Sequence, residues 1–153
     1  EAKVLGVRQY EHMPYPDLER EWVHLVQHQG IAGFYIDATN ELSFVERLQR
    51  IGVRALPVTY SAPLKHDMVS YVIQLRSRGL KGLRPCLRIP RTGPHIAELR
   101  RQMMEQERIL TTSTIRYGHP EGRHDDLFQA LCLFTHGARQ YLDVSWRVWP
   151  LHR

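Results

Sequence analysis

The chain has 153 residues, 42% hydrophobic and 24% charged, which is the size and composition of a single globular domain with a buried core. The sequence has no apolar run of membrane-spanning length, no signal-peptide pattern and no disulfide framework, since it contains only Cys86 and Cys132, so a reducing, cytoplasmic setting is expected. The formal net charge of +5, carried mostly by arginine, is compatible with a polyanionic partner, although many basic proteins bind no nucleic acid.

The first half of the chain alternates predicted strands and helices. Alternating apolar and polar residues predict a strand over residues 2–10, and Pro14 and Pro16 end regular structure after it. The next predicted elements are a helix from Asp17 to Gly30, a buried strand over 32–37, a helix from Ser43 to Gly52 and a strand over 54–60.

The second half continues the alternation. Its predicted elements are a helix over 61–79, a brief strand over 85–89, a helix from Pro94, extended chain over 108–117 in a hairpin, and a helix over 124–141 with Leu127, Ala130, Leu131 and Phe134 on its core face. The tail, 142–153, is not assigned. This order predicts one α/β domain over 1–153 with parallel neighbouring strands.

Asp37 is the last residue of the strand predicted over 32–37. Functional residues gather at the carboxyl ends of strands in α/β sheets, so Asp37 is a candidate site residue. Aspartate also caps turns and helices at such positions, and the position alone leaves both interpretations open.

Asp125 and Asp126 are adjacent, directly after His124, at the start of the last predicted helix. Helical spacing predicts that Asp126, one turn before Ala130, tilts toward the core and that Asp125 points elsewhere. Together with Asp37, they offer the oxygen ligands that Mg²⁺ prefers, and two such ions roughly 4 Å apart can drive phosphodiester cleavage. Capping of the helix by acidic residues is the alternative.

Three segments carry these residues and a lysine in a fixed order. They are Tyr35-Ile36-Asp37-Ala38-Thr39, Ser61-Ala62-Pro63-Leu64-Lys65 and Gly122-Arg123-His124-Asp125-Asp126-Leu127-Phe128-Gln129-Ala130-Leu131. With the helix IAELRRQM between the second and third, they resemble the C-terminal nuclease domain of the large terminase subunit of tailed phages. The likeness runs from about Val4 to Tyr141 and rests on order and spacing, because no single motif is specific.

The resemblance implies an RNase H-like mixed sheet flanked by helices, and metal-dependent endonuclease cleavage of concatemeric double-stranded DNA in the cytoplasm of an infected bacterial host. Asp37, Asp125 and Asp126 would hold Mg²⁺ or Mn²⁺ in a two-metal site. Lys65 would approach the scissile phosphate or orient a carboxylate, or else be a solvated lysine at a helix start. His124 would be a metal ligand or support one, or else be an ordinary structural histidine.

Basic residues assigned to DNA by the same resemblance are Arg123, beside the acidic pair, and Arg76, Arg78 and Lys81, at the end of the helix predicted over 61–79. They would contact backbone phosphates, although the last three also suit a solvated, arginine-rich helix end. The partners that the family implies besides double-stranded DNA are the terminase ATPase domain, the portal and the small terminase subunit, with no membrane.

The sequence also departs from the family. The family's leading catalytic aspartate lies on a first strand that pairs with a second, whereas the strand predicted over 2–10 matches the third. We therefore expect a fragment of a larger terminase that lacks two strands and is impaired or inactive as a nuclease, with Glu11 the only nearby acid that would substitute. Without that strand the sheet edges are exposed, which favours a rearranged strand, pairing between chains or a segment supplied from elsewhere.

Two other functions remain open. A non-catalytic DNA-binding or packaging-motor docking module would keep the fold without bringing Asp37, Asp125 and Asp126 together on a metal. Another RNase H-like nuclease, such as a junction resolvase, would equally need an early acid. The sequence has no Gly-x-x-x-x-Gly-Lys-Ser/Thr ATPase motif, so an ATPase encoded upstream would favour the terminase.

Overall fold

The computed structural model describes residues 1–31, 33–110, 115–120, 122 and 124–147. The helices and strands in this part are β1 (Ala2–Lys3), α1 (Tyr15–Gln29), β2 (Phe34–Asp37), α2 (Leu42–Arg50), β3 (Ala55–Val58), α3 (Ala62–Leu80), β4 (Leu87–Arg88), α4 (Ile96–Met104), β5 (Glu107–Leu110), β6 (Ile115–Gly118) and α5 (Asp126–Arg147). They belong to two compact units: unit 1 comprises Glu1–Gln9 and Ala62–Arg153, and unit 2 comprises Tyr10–Ser61.

The α/β class is confirmed. Strand β2 pairs in parallel with β3, as the alternation of strands and helices predicts, and β1 pairs in parallel with β4. Strands β5 and β6 form the predicted hairpin. In the part of the chain that the structure describes, these pairs are three separate two-stranded sheets, so the RNase H-like order of strands stays a prediction. So does the assignment of 1–153 to one domain.

Helix α1 of unit 2 begins at Tyr15, two residues before the predicted start. Pro16 lies in its first turn instead of ending regular structure, because the first backbone N–H groups of a helix have no intrahelical partner to lose. The helix ends as predicted at Gly30, which has a φ of 61°, a left-handed conformation that glycine adopts without steric cost.

The core of unit 2 lies between α1, α2 and the β2–β3 pair. Helix α2 buries Phe44, Val45 and Leu48 because these residues share one helical face. The Trp22 ring of α1 stacks on the Phe34 ring of β2 with centroids 4.7 Å apart. This packing fixes β2, and with it the strand end that carries the candidate acid of this unit.

The core of unit 1 is formed mainly by three helices. Helix α3 contacts α5, β4 and β6, and α4 contacts α5. Of the face predicted for α5, Leu127 and Leu131 are buried, but Ala130 and Phe134 are exposed. Other α5 residues that are buried are Phe128, Cys132, Leu133 and Thr135. The prediction was wrong for Ala130 and Phe134 because α5 packs against both α3 and α4, so that its buried side is wider than one predicted face and turned away from these two residues.

A surface contact also joins α3 to α5. The Arg139 guanidinium of α5 donates a hydrogen bond to the Asp67 carboxylate of α3 at 2.6 Å. The same guanidinium lies over the Tyr71 ring, 4.7 Å from its centroid. The charge pair and the cation–π contact thus connect α5 to the N-terminal half of α3.

The strand predicted over residues 2–10 is much shorter than expected, since only Ala2–Lys3 pairs. The Ala2 N–H donates to the Cys86 carbonyl at 2.8 Å, and the Val4 N–H donates to the Arg88 carbonyl at 2.9 Å. Strand β4 offers only two residues before Pro90, which has no N–H to extend the ladder. None of the helices described is both long and apolar enough to cross a membrane.

Candidate active site at the start of helix α5

The acidic pair lies where α5 begins. Asp125 directly precedes the helix, and its carbonyl accepts the Gln129 N–H at 2.8 Å, while Asp126 is the first helical residue. Asp125 is buried, with 8% of its surface exposed, and Asp126 is exposed. The predicted directions were therefore wrong: Asp125 faces the interior. Helical spacing does not apply to Asp125 because its backbone lies outside the helix.

The Asp125 carboxylate has a different neighbour at each oxygen. Its Oδ2 atom accepts a hydrogen bond from the Gln129 side-chain amide at 2.8 Å. Its Oδ1 atom is 3.8 Å from Nε2 of His119, the residue after β6. A protonated His119 would pair with this carboxylate, so the end of the β5–β6 hairpin brings a proton-exchanging group to the buried acid.

Helix α4 fixes the position of the acidic pair. The Gln102 side chain is buried, and its Oε1 atom accepts the backbone N–H of Phe128 at 3.1 Å. Its Nε2 atom donates to Glu98 at 2.9 Å. The first N–H groups of a helix need partners from outside the helix, and Gln102 supplies one of them. The start of α5 is thus anchored by a hydrogen bond from another helix.

Lys65 of α3 belongs to the same neighbourhood. It lies in the first turn of α3 and is half-buried. Burial raises the pKa of the Cys132 thiol to about 12, and the Lys65 charge lowers that pKa while the Asp125 charge raises it. Helix α3 packs against α5, so Lys65 and the buried Asp125 belong to neighbouring helices of one unit. The approach of Lys65 to a carboxylate or to a phosphate, which the resemblance implies, stays a prediction.

A second histidine, His66, lies beside Lys65 on α3. Its ring centroid is 5.4 Å from that of Tyr117 in β6. Its Nε2 atom is 3.5 Å from the Ser70 hydroxyl, and its buried Nδ1 atom has no hydrogen-bond partner among the described residues. The start of α3, the end of β6 and the start of α5 therefore carry a lysine, two histidines and a buried aspartate within unit 1.

Asp37 ends β2 as predicted, but it belongs to unit 2. Its Oδ1 atom accepts hydrogen bonds from the Thr39 backbone N–H at 2.9 Å and from the Thr39 hydroxyl at 2.6 Å. The Thr39 hydroxyl in turn accepts the Tyr60 N–H at 3.1 Å, which joins the ends of the two parallel strands. Asp37 therefore caps the turn after its strand. Its predicted approach to Asp125 and Asp126 on a metal stays a prediction.

The remaining candidates lie around or away from this site. His124 is exposed, and Arg123 lies outside the described residues. Arg78 donates hydrogen bonds to the carbonyls of Pro85, at 3.2 Å, and Arg84, so it holds the connection between α3 and β4. Arg76 is exposed. It lies roughly 16 Å from Lys65 along the α3 axis, given a rise of about 1.5 Å per residue. Lys81, exposed just beyond the helix, is farther still.

The fit of a metal ion depends on the ligands near Asp125. Among the described residues, no three His, Cys, Asp or Glu side chains are grouped so that they could hold a metal ion. Mg²⁺ is nevertheless often bound by one or two carboxylates, with water and substrate phosphate completing its shell. Asp125 is one carboxylate of the kind that binds such an ion, and the described residues around it do not complete a two-ion site.

Comparisons with protein-family models, with curated proteins and with solved structures found no match. The function is therefore inferred from the geometry above and from the sequence motifs.

Several residues of this site have no signal in the sequence. His119 lies in a loop of Gly, Pro and Glu residues, and only the register of the hairpin places it beside Asp125. Gln102 belongs to an ordinary amphipathic helix, and its capping role depends on how α4 crosses α5. Gln129 is the exception, because it lies one helical turn after Asp125, a spacing that allows side-chain contact.

Proposed function

We propose that this chain is the metal-dependent endonuclease domain of a phage DNA-packaging terminase, which hydrolyses phosphodiester bonds of concatemeric double-stranded DNA. The observation that carries this proposal is the buried Asp125 carboxylate at the start of α5, with Nε2 of His119 3.8 Å from its Oδ1 atom. Lys65 supports it as the cation in the first turn of α3, the helix that packs against α5. A carboxylate suits a hard cation and an ammonium group suits a phosphate, so the pair offers both halves of a phosphodiester-hydrolysing site.

An RNase H-like fold is part of the proposal. It is supported by the parallel β2–β3 pair with Asp37 at its carboxyl end, and by the hairpin that precedes the acidic helix α5. Acidic residues at the end of a parallel strand and at the start of a later helix are what that fold uses to gather metal ligands.

Each side chain has a defined part in the proposed reaction. Asp125 would hold the divalent ion, and Asp126 would add negative charge at the same helix start, where the helix dipole stabilises it. When bound there, Mg²⁺ or Mn²⁺ would supply Lewis-acid stabilisation of the phosphate and a water of lowered pKa. Lys65 would hold a non-bridging phosphate oxygen. His119, next to Asp125, would accept or return a proton.

Double-stranded DNA is the proposed substrate, and the terminase ATPase domain, the portal and the small terminase subunit are the proposed partners, in the cytoplasm of an infected bacterium. Arg123, next to His124, would contact the phosphates that flank the cut. The alternative, a DNA-binding or docking module without chemistry, shares the fold and differs in metal-dependent cutting.

The decisive experiment is a plasmid-nicking assay with Mg²⁺ or Mn²⁺ on the wild-type chain and on the variants Asp125→Asn, Lys65→Gln and Glu46→Gln. Glu46 is the control, because it is an exposed acid on α2 of unit 2. We expect both site variants to lose about 100-fold or more in rate, the scale of removing one electrostatic contact to a transition state. The Glu46→Gln variant should cut like the wild type.

Circular dichroism spectra would confirm that the variants are folded. Cutting that survives Asp125→Asn would exclude the proposed site. Duplex DNA binding without any metal-dependent cutting, together with no Mn²⁺ binding by calorimetry, would instead support the non-catalytic module.

A further inference from the structure

Unit 1 contains a second feature, separate from the acidic site, which we term the arginine cleft. It lies between the C-terminal half of α3, the segment through β4, and α4, and it has a volume of about 540 Å³. The charged side chains that line it are Arg76, Arg84, Arg88 and Arg100. A cavity of this volume is in the range of protein sites that receive a ligand.

The cleft is strongly cationic. No acidic residue is among the described residues that line it. The Glu1 carboxylate approaches from β1, with its oxygens 3.0 Å from Nε of Arg88 and 3.7 Å from Nη2 of Arg84. Arg100 donates a hydrogen bond to the Pro90 carbonyl at 2.8 Å. Arg76 has no ion-pair partner among the described residues. One carboxylate therefore pairs with two of the four arginines that line the cleft, and the remaining positive charge favours a further anion.

The same cleft is apolar between its charges. Leu87 and Cys86 are buried in its floor. On its rim, Leu80 is 82% exposed and Met104 is 76% exposed. Large apolar side chains exposed together beside arginines indicate a surface that another molecule covers. Arginine and methionine are enriched in protein interfaces, where lysine is depleted, and the described lining of the cleft contains both arginine and methionine but no lysine.

We infer that the arginine cleft docks an acidic segment of a partner protein, one in which a bulky apolar residue lies next to Asp or Glu. A duplex DNA backbone would satisfy the arginines but would leave Leu80 and Met104 uncovered, because phosphates and sugars offer no matching apolar side chain. An acidic, apolar segment covers both kinds of surface. The chain's own Glu1–Ala2 has this chemistry at the cleft edge: Glu1 pairs with arginines and Ala2 is buried.

The test measures binding of a fluorescein-labelled peptide that alternates Glu and Leu to the full chain, by fluorescence anisotropy in EDTA. EDTA keeps the measurement independent of the metal site. The site variants are Arg76→Glu and Met104→Ser, both at exposed positions. The matched control is Arg50→Glu on α2 of unit 2, whose side chain is 74% exposed. Thermal melts should show wild-type folding for the site variants.

We expect Arg76→Glu to weaken peptide binding about tenfold or more and Met104→Ser to weaken it several-fold, with Arg50→Glu unchanged. Peptides with Gln in place of Glu, or Ser in place of Leu, should both bind more weakly. Unchanged affinity in both site variants would overturn the inference. Dependence on Arg76 but not on Met104 or the leucines, with displacement by duplex DNA, would make the cleft a phosphate site. If light scattering showed that the wild type is a dimer and that Met104→Ser is a monomer, the cleft would instead bind a second copy of this chain.

Discussion

The Gln102 side chain offers a sharp test of how the acidic site is held in place. Its carbonyl oxygen accepts the buried Phe128 N–H at 3.1 Å, and its amide donates to Glu98 at 2.9 Å. Methionine has a similar shape but makes neither bond. In Gln102→Met, the Phe128 N–H would stay buried without an acceptor, which costs about 1–3 kcal/mol.

The lost bond to Glu98 adds about 0.5–1.5 kcal/mol, partly offset because methionine needs no desolvation of an amide. We therefore expect the free energy of unfolding to fall by about 2 kcal/mol. With a urea slope of about 2 kcal/mol per molar, the unfolding midpoint should fall by about 1 M. In the variant, hydrogen exchange at the Phe128 amide should be faster than in the wild type, while exchange at the amides of α3 should change less, because the lost bond is local.

The control is Gln49→Met in unit 2, where the Gln49 side chain is exposed and donates to the Ala55 carbonyl at 2.9 Å. Ala55 is buried, but this change removes one part-buried hydrogen bond instead of two, so it should cost about 0.5–1.5 kcal/mol, less than Gln102→Met. Equal losses in the two variants, or unchanged exchange at Phe128, would show that Gln102 does not anchor α5.

Two further predictions concern titration and the Asp37 turn. Because burial raises the pKa of Cys132 from 9.0 to about 12, the folded chain keeps a proton that the unfolded chain releases, so stability should decline between about pH 9 and 12 by up to about 1.4 kcal/mol per pH unit. Urea unfolding across this range should show a shallower decline for Cys132→Ala, and parallel slopes would contradict the assigned burial. Asp37→Ala removes the acceptor of two hydrogen bonds from Thr39, whereas Asp37→Asn keeps an acceptor oxygen, so in urea unfolding Ala should be about 1 kcal/mol less stable than Asn. Equal stabilities would mean that the turn does not depend on that oxygen.

The elements that the sequence predicts well are those with strong local signals. Helix α1 ends at Gly30 because a left-handed residue is needed there, and β2 ends at Asp37 where the apolar run stops. The hairpin of β5 and β6 and the parallel pairing of β2 with β3 also follow from the order of the elements. In each case the deciding information lies within a few residues of the element.

The sequence misleads where distant contacts decide the structure. Residues 5–10 alternate like a strand, but β4 ends before Pro90, which has no N–H to extend the ladder beyond Val4. Asp125, and not Asp126, faces the interior because the helix starts one residue later than the spacing argument assumes. His119 and Gln102 enter the site through a hairpin end and a helix crossing, which no local pattern encodes.

The pairing of β1 with β4 has a consequence for the order of folding. Ala2 pairs with Leu87, so this short ladder closes a loop that contains the whole of unit 2. Closing a long loop has an entropic cost, and contacts between distant residues form slowly, whereas the helices and strands of unit 2 are contiguous in the chain. Residues 10–61 can therefore order first, with β1 joining last and detaching first. The backbone amides of Ala2 and Val4, which donate to the carbonyls of Cys86 and Arg88, should then exchange hydrogen faster than the amides of α3.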